Sequence, residues 1–200
     1  MKMIKRLFFW GFILLPVLGF SQELDSKINS KTEGFFGAIY VDYHNYFHLE
    51  EITDWIVLPS ESNSKKAFGT NLNFVGGYFL IPNRLSLAGG IGLYRVVSPR
   101  VDIFGAPLIN GDLRFYFTDR PNTLYSFVNA GTTLGASFNN RGYLYHAGVG
   151  YKFFLTKKTL VSMDLSLVIP NYSKTKESYR DSNFKVNLQG IGFSLGFYVF

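Results

Sequence analysis

From residue 34 to residue 200 one pattern recurs: apolar side chains at every second position, in segments of about ten residues. Successive side chains of an extended strand point to opposite faces, so each such segment is a strand with one greasy face and one small or polar face. The clearest is 160–169, where Val161, Met163, Leu165, Leu167 and Ile169 oppose Ser162, Asp164 and Ser166. In 107–117, Ile109, Leu113, Phe115 and Phe117 oppose Asn110, Asp112 and Arg114. In 143–155, tyrosines 143, 145 and 151 with Ala147, Val149 and Phe153 alternate with His146, Gly148, Gly150 and Lys152. In 68–80, Leu72, Phe74, Tyr78 and Leu80 alternate with Gly69, Asn71, Asn73 and Gly77. Four less regular segments, 34–43, 85–94, 124–134 and 184–200, bring the expected total to eight strands.

The connections are sorted by length. Three are short (81–84, 118–123 and 156–158), four are longer and more polar (44–67, 95–106, 135–142 and 170–183), and the two kinds alternate along the chain. This is expected of hairpins whose two ends face different compartments, as in an up-and-down barrel that crosses a membrane. The expected fold is therefore all-β: an eight-stranded antiparallel up-and-down transmembrane β-barrel.

Composition agrees. Aromatic residues make up 18% of the chain and charged residues only 17%, against about 25% charged in soluble domains. A surface so poor in charge needs an apolar solvent. Past the N-terminal segment no run of 18 apolar residues occurs, which excludes a spanning helix; a closed barrel is the other structure that satisfies every backbone group in lipid.

Alternation alone leaves open whether the greasy face looks out to lipid or in to a lipocalin-like core. Small residues on the opposite face (Ser86, Ala88, Gly90, Gly92, Gly148, Gly150, Gly192, Ser194, Gly196) suit the crowded inside of eight strands, where a wetted exterior would carry Lys and Glu. Aromatics crowd both strand ends: Tyr78, Phe79, Phe115, Tyr116, Phe117, Tyr151, Phe153, Phe154, Phe197, Tyr198 and Phe200 by the short turns, and Tyr40, Tyr43, Tyr94, Tyr143 and Tyr145 toward the long loops. Two such girdles bracket the hydrocarbon band of outer-membrane barrels. Both features place the greasy face in lipid.

The N-terminus carries an export address. Lys2, Lys5 and Arg6 precede an apolar stretch, 7–18, and Gly19-Phe20-Ser21 offers small residues where a signal peptidase reads. The expected organisation is a signal peptide over 1–21 cleaved before Gln22, a short periplasmic lead-in over 22–33, and the barrel over 34–200, in the bacterial outer membrane. Without cysteine, neither a lipid-modified terminus nor a disulfide is available. Removing the three basic groups of the signal lowers the formal charge from +6 to +3, which is no nucleic-acid footprint.

Gly-aromatic strand phrases such as Ala147-Gly-Val-Gly-Tyr-Lys-Phe153, and a final strand ending in Phe200, resemble the small outer-membrane proteins of the OmpA and OmpX type and, more broadly, the bacterial outer-membrane β-barrel domain family. The resemblance covers 34–200. It implies outer-membrane lipid and lipopolysaccharide as surroundings, and recognition of the C-terminal aromatic by the barrel-assembly machinery. One departure stands out. The family's last strand keeps its apolar residues in register with the terminal Phe, whereas here Gly196, Ser194 and Gly192 hold that register. A bulge near the end, or a Phe200 turned inward, would reconcile the two.

Candidate chemistry is sparse. His44 and His48, with Glu50, Glu51 and Asp54, contain zinc-ligand residue types, but the spacing puts both rings on one face only in a helix, and here a strand enters a loop. They read as interfacial and loop histidines. Asn110, Asp112, Arg114, Asn129, His146, Lys152 and Asp164 fall on inward faces and read as a structural polar network filling the lumen, with Asp164 opposite Gly150 and within diagonal reach of Lys152. Barrel lipases that deacylate lipid A carry a His with a nearby Ser on a lipid-facing strand; the run His146-Ala147-Gly148 lacks that Ser. Basic groups of the last long loop, Lys174, Lys176 and Arg180, stand beside Glu177 and Asp181 and read as a solvated mixed-charge run. Ile52, Trp55, Ile56, Val57 and Leu58 of the first long loop read as folding down over the barrel mouth. Gly89-Gly-Ile-Gly92 sits inside a strand and cradles no phosphate.

The expected function is a non-enzymatic outer-membrane barrel with a side-chain-filled lumen that presents loops at the cell surface, without cofactor or metal. The alternatives are a narrow porin-like channel and, further off, a lipid A-modifying enzyme.

Overall fold

The computed structural model describes residues 33–53, 67–97, 102–134, 140–174 and 184–200. Eight antiparallel strands, β1 (Gly34–Thr53), β2 (Ala67–Ile81), β3 (Leu85–Val97), β4 (Asp102–Tyr116), β5 (Thr123–Leu134), β6 (Asn140–Phe154), β7 (Thr159–Lys174) and β8 (Phe184–Val199), pair in chain order. β1 closes on β8, so the sheet is a barrel without an edge. The signal segment, the lead-in as far as residue 32, Trp55 to Leu58 of the first loop, and the charged groups at 176–181 lie outside the described residues.

All eight expected strands form, and most reach further than their alternation indicated. β1 runs to Thr53 and β7 to Lys174, through stretches that read as loops. The reason is physical: alternation in hydropathy stops where lipid stops, but backbone pairing continues beyond it. The short turns are tight. Ile81-Pro82-Asn83-Arg84 closes through the Arg84 N–H to the Ile81 carbonyl (3.0 Å), with Asn83 in the left-handed region (φ 58°) that Asn tolerates. Irregularities between Tyr46 and His48, Phe79 and Ile81, and Tyr94 and Val96 shift the register locally.

The greasy face does look outward. Leu165, Leu167, Ile91, Val41 and Phe193 are exposed around the wall, while Ser162, Asp164, Ser166, Gly192 and Ser194 are buried inside. No water-soluble surface carries such a belt; hydrocarbon is the solvent that suits it.

Two expectations need correction. The aromatics do not all belong to outer girdles: Tyr78, Phe115, Phe117, Phe197, Tyr43, Tyr143 and Tyr145 point out, but Phe79, Tyr116, Phe154, Tyr198, Tyr40 and Tyr94 are buried within. Consecutive aromatics such as Tyr116-Phe117 must take opposite faces, so half of them enter the lumen. The interior is accordingly small and polar only in its middle. At the short-turn end Phe36, Phe79, Tyr116, Phe154, Leu160 and Tyr198 form one apolar cluster. At the long-loop end Tyr46, Tyr94, Leu108, Leu144, Val168 and Tyr172 belong to another.

The register of the last strand is also settled. β8 pairs without a shift from Gly190 to Val199 against β1, so no bulge rescues the C-terminal pattern. Phe200 instead turns inward onto the first cluster, its ring 5.9 Å from Phe154, 6.1 Å from Phe79 and 6.2 Å from Phe36.

Candidate functional site

Between the two apolar clusters lies a polar layer. Inward parity on β4 brings Asp112 and Arg114 to the same face, and both are buried. The Arg114 guanidinium is fully engaged: Nε donates to Asp112 Oδ1 (2.6 Å), one terminal nitrogen to the Tyr125 hydroxyl (2.8 Å) and the Tyr198 hydroxyl (2.6 Å), and the other to Asp112 Oδ2 (3.3 Å) while facing Asp164 Oδ2 at 3.5 Å. Four aromatic rings surround it, Tyr40 at 4.8 Å, Tyr125 at 5.0 Å, Phe127 at 5.3 Å and Tyr198 at 5.8 Å. Tyr125 in turn donates to Asp164, and Tyr40 to Tyr198. A planar cation with donors in a fixed fork suits this position, where Lys would satisfy fewer acceptors.

The remaining inward residues arrange around this centre. Asn129 donates to Asp112 Oδ2 at 3.5 Å. Gly150 pairs with Asp164 and Lys152 with Ser162 across the β6–β7 hairpin; the ammonium of Lys152 lies 4.2 Å from the Tyr116 ring centroid, in the short-turn cluster. Asn110 and His146 face a cavity of about 20 Å³ beside Asp42, Asp112 and Asn73. That is room for one or two waters.

His44 is not a loop residue. It is fully buried on β1, meets His146 edge to face at 4.8 Å across the lumen, and shares a 3.2 Å hydrogen bond through Nδ1 with the Tyr46 hydroxyl, which itself bonds Tyr94. His48 lies beyond the irregularity that follows Tyr46 and faces outward. The two histidines of the zinc-like spacing are therefore parted, because a strand shifted by one residue reverses its faces. Among the described residues no group of three His, Cys, Asp or Glu could hold a metal ion, and no Ser or Thr hydroxyl bonds a histidine there.

Hydropathy reading missed Asp42, Tyr40, Tyr125 and Tyr198 as members of the polar layer. Parity could have found the first two: Phe36, Ala38, Tyr40, Asp42, His44 and Tyr46 share one face of β1. Tyr125 is the diagonal neighbour of Arg114 on the adjacent strand, where Arg114 pairs with Phe127; no sequence signal places Tyr198 against Arg114, since that meeting crosses the lumen.

No family model matches the chain, and no curated protein matches it. Its structure is similar to that of the outer membrane protein OprG from Pseudomonas aeruginosa, at 12% identity over 86% of this chain and 98% of that one, with a TM-score of 0.50. Further similarities are to Neisserial surface protein A (19% identity, 84% and 99% covered, TM-score 0.41) and to the N-terminal β-barrel domain of Pseudomonas aeruginosa OprF (14%, 80% and 96%, 0.33). At such identities what is shared is fold: this chain has the architecture of the small bacterial outer-membrane β-barrels.

Proposed function

We propose that the protein is an integral outer-membrane barrel that does no chemistry and conducts no ions, holding its strand extensions and long loops at the cell surface. The observation that carries this reading is the lumen filled by side chains along the described strands. An apolar cluster packs the lumen toward each end, and the Arg114 network lies in the layer between them. Eight strands leave an interior just wide enough for side chains, and here side chains occupy it. His146, the histidine a lipid-cleaving reading would need, faces the lumen and away from lipid. In this reading outer-membrane lipid and lipopolysaccharide solvate the belt. The barrel-assembly machinery takes up the C-terminal strand through its outward residues Phe193, Leu195, Phe197 and Val199, since Phe200 is turned in.

The test is reconstitution into planar bilayers together with membrane fractionation. The barrel is expected in the outer-membrane fraction, running at a different gel mobility before and after boiling, and giving no unitary conductance. Discrete conductance steps would favour the narrow channel, and recovery from the soluble periplasm would end the membrane assignment.

A further inference from the structure

The polar layer is not balanced. Among the described residues the buried charges of the lumen are Asp42, Asp112 and Asp164 against Arg114 and Lys152, leaving one negative charge in excess. Arg114 has committed its donors to Asp112, Asp164 and two tyrosines. Asp42 draws only on neutral donors, from Asn71 Nδ2 at 2.7 Å, Asn73 Nδ2 at 3.4 Å and the Ser194 hydroxyl. An uncompensated buried charge is costly, so a proton or a cation belongs at Asp42.

Lone pairs without donors occur in the same place. Asn73 Oδ1 and Asn110 Oδ1 have no hydrogen-bond partner, although both side chains are more than nine-tenths buried and line the 20 Å³ cavity with Asp42. The amide of Asn73 is oriented by its bond to Asp42, which leaves its oxygen as the free atom. Two glycines allow this arrangement. Asn73 pairs with Gly92 and Asn110 with Gly90, so both asparagines, from β2 and β4, flank β3 where it has no side chain. A Cβ on Gly90 would stand 2.7 Å from Asn110 Oδ1, and one on Gly92 would overlap Asn73 Oδ1. His146 Nε2, another unpartnered buried atom, lies on the same cavity.

We infer that this cavity binds one hard monovalent cation of the sodium class, held by the Asn73 and Asn110 amide oxygens and the Asp42 carboxylate. Oxygen ligands suit a hard cation. A single positive charge balances the excess, whereas a divalent ion overshoots it. The volume admits a bare or singly hydrated ion, and a cation answers the charge and both amide oxygens together, whereas a proton on Asp42 leaves those oxygens unpartnered.

The experiment uses the folded full barrel in nonionic detergent, melted by gel mobility and circular dichroism in sodium chloride and in choline chloride at equal ionic strength, so that screening is the same in both. A cation bound only by the folded state raises the melting midpoint with its concentration. Sodium is expected to raise the midpoint by several degrees and choline, too large for the cavity, to leave it unchanged. Asn110→Ala and Asp42→Asn are each expected to lose the sodium dependence while keeping unboiled mobility. Asp42→Asn, with the excess charge gone, should be as stable in choline as in sodium. Because each variant is compared with itself in two salts, a general loss of stability does not mimic the result. Equal midpoints of the unaltered protein in both salts would overturn the inference. So would a sodium response that survives both substitutions, or a response to calcium chloride without one to sodium.

Discussion

The two faces of the same wall obey different rules. Outside, Gly37 and Gly76 sit side by side on β1 and β2, and a Cβ added to either would meet nothing within 4 Å. Inside, a Cβ on Gly148 would run into the Leu165 carbonyl oxygen and stand 2.8 Å from Ser166 Cα, backbone atoms that cannot step aside. The outer face is chosen by a solvent, which asks only for apolarity and tolerates many sizes. The inner face is chosen by particular neighbours, at the packing density of a protein core. One strand therefore carries two kinds of specification, interleaved residue by residue.

That contrast can be broken most severely at its charged centre. Arg114→Ala would leave Asp112 and Asp164 buried without their cation and is expected to cost about 3–5 kcal/mol, read as a fall in the urea midpoint of the folded gel band. An unchanged midpoint would mean that the inner face is as permissive as the outer. Leu165→Arg inverts the outer rule near the middle of β7, an exposed apolar position. It should cost roughly 2–4 kcal/mol in lipid vesicles and far less in a soluble setting, so a small effect in vesicles would argue that water bathes this face. Gly148→Ala adds one methyl group inside and should cost about 1–3 kcal/mol through overpacking, measured by the same urea titration. Gly76→Ala adds the same group outside, in ordinary strand geometry, and should stabilise by roughly 0.4–1 kcal/mol by restricting the unfolded chain. A penalty there equal to that of Gly148→Ala would erase the distinction between the faces.

Much of the fold was legible because lipid-facing residues answer to hydropathy alone. The parity of Val161, Met163, Leu165, Leu167 and Ile169 oriented β7 before any neighbour was known. β1 was harder. Phe35 and Phe36 are both aromatic, one exposed and one buried, so hydropathy does not alternate there and Asp42 and His44 lost their context. The short-turn aromatics failed for the same reason: an apolar side chain is welcome in lipid and in a plug, and composition does not say which. Of the luminal site, its inward members on β4, β6 and β7 were visible by parity, but their partners were not.

By its own order of residues the chain determined eight strands and which face of each meets lipid, but not the lengths of its connections, since β3–β4 and β5–β6 pair on through stretches that read as loops and leave only 98–101 and 135–139 between them. The strands and their faces follow from a period of two and from the solvent on one side, both local properties. Only closure of the barrel decided that Arg114 would meet Tyr198 and Asp164, that His44 would meet His146 rather than pair with His48, and that Phe200 would turn inward. Those meetings join residues from different strands across a lumen, and a contact between distant strands exists only once shear and register have placed both ends.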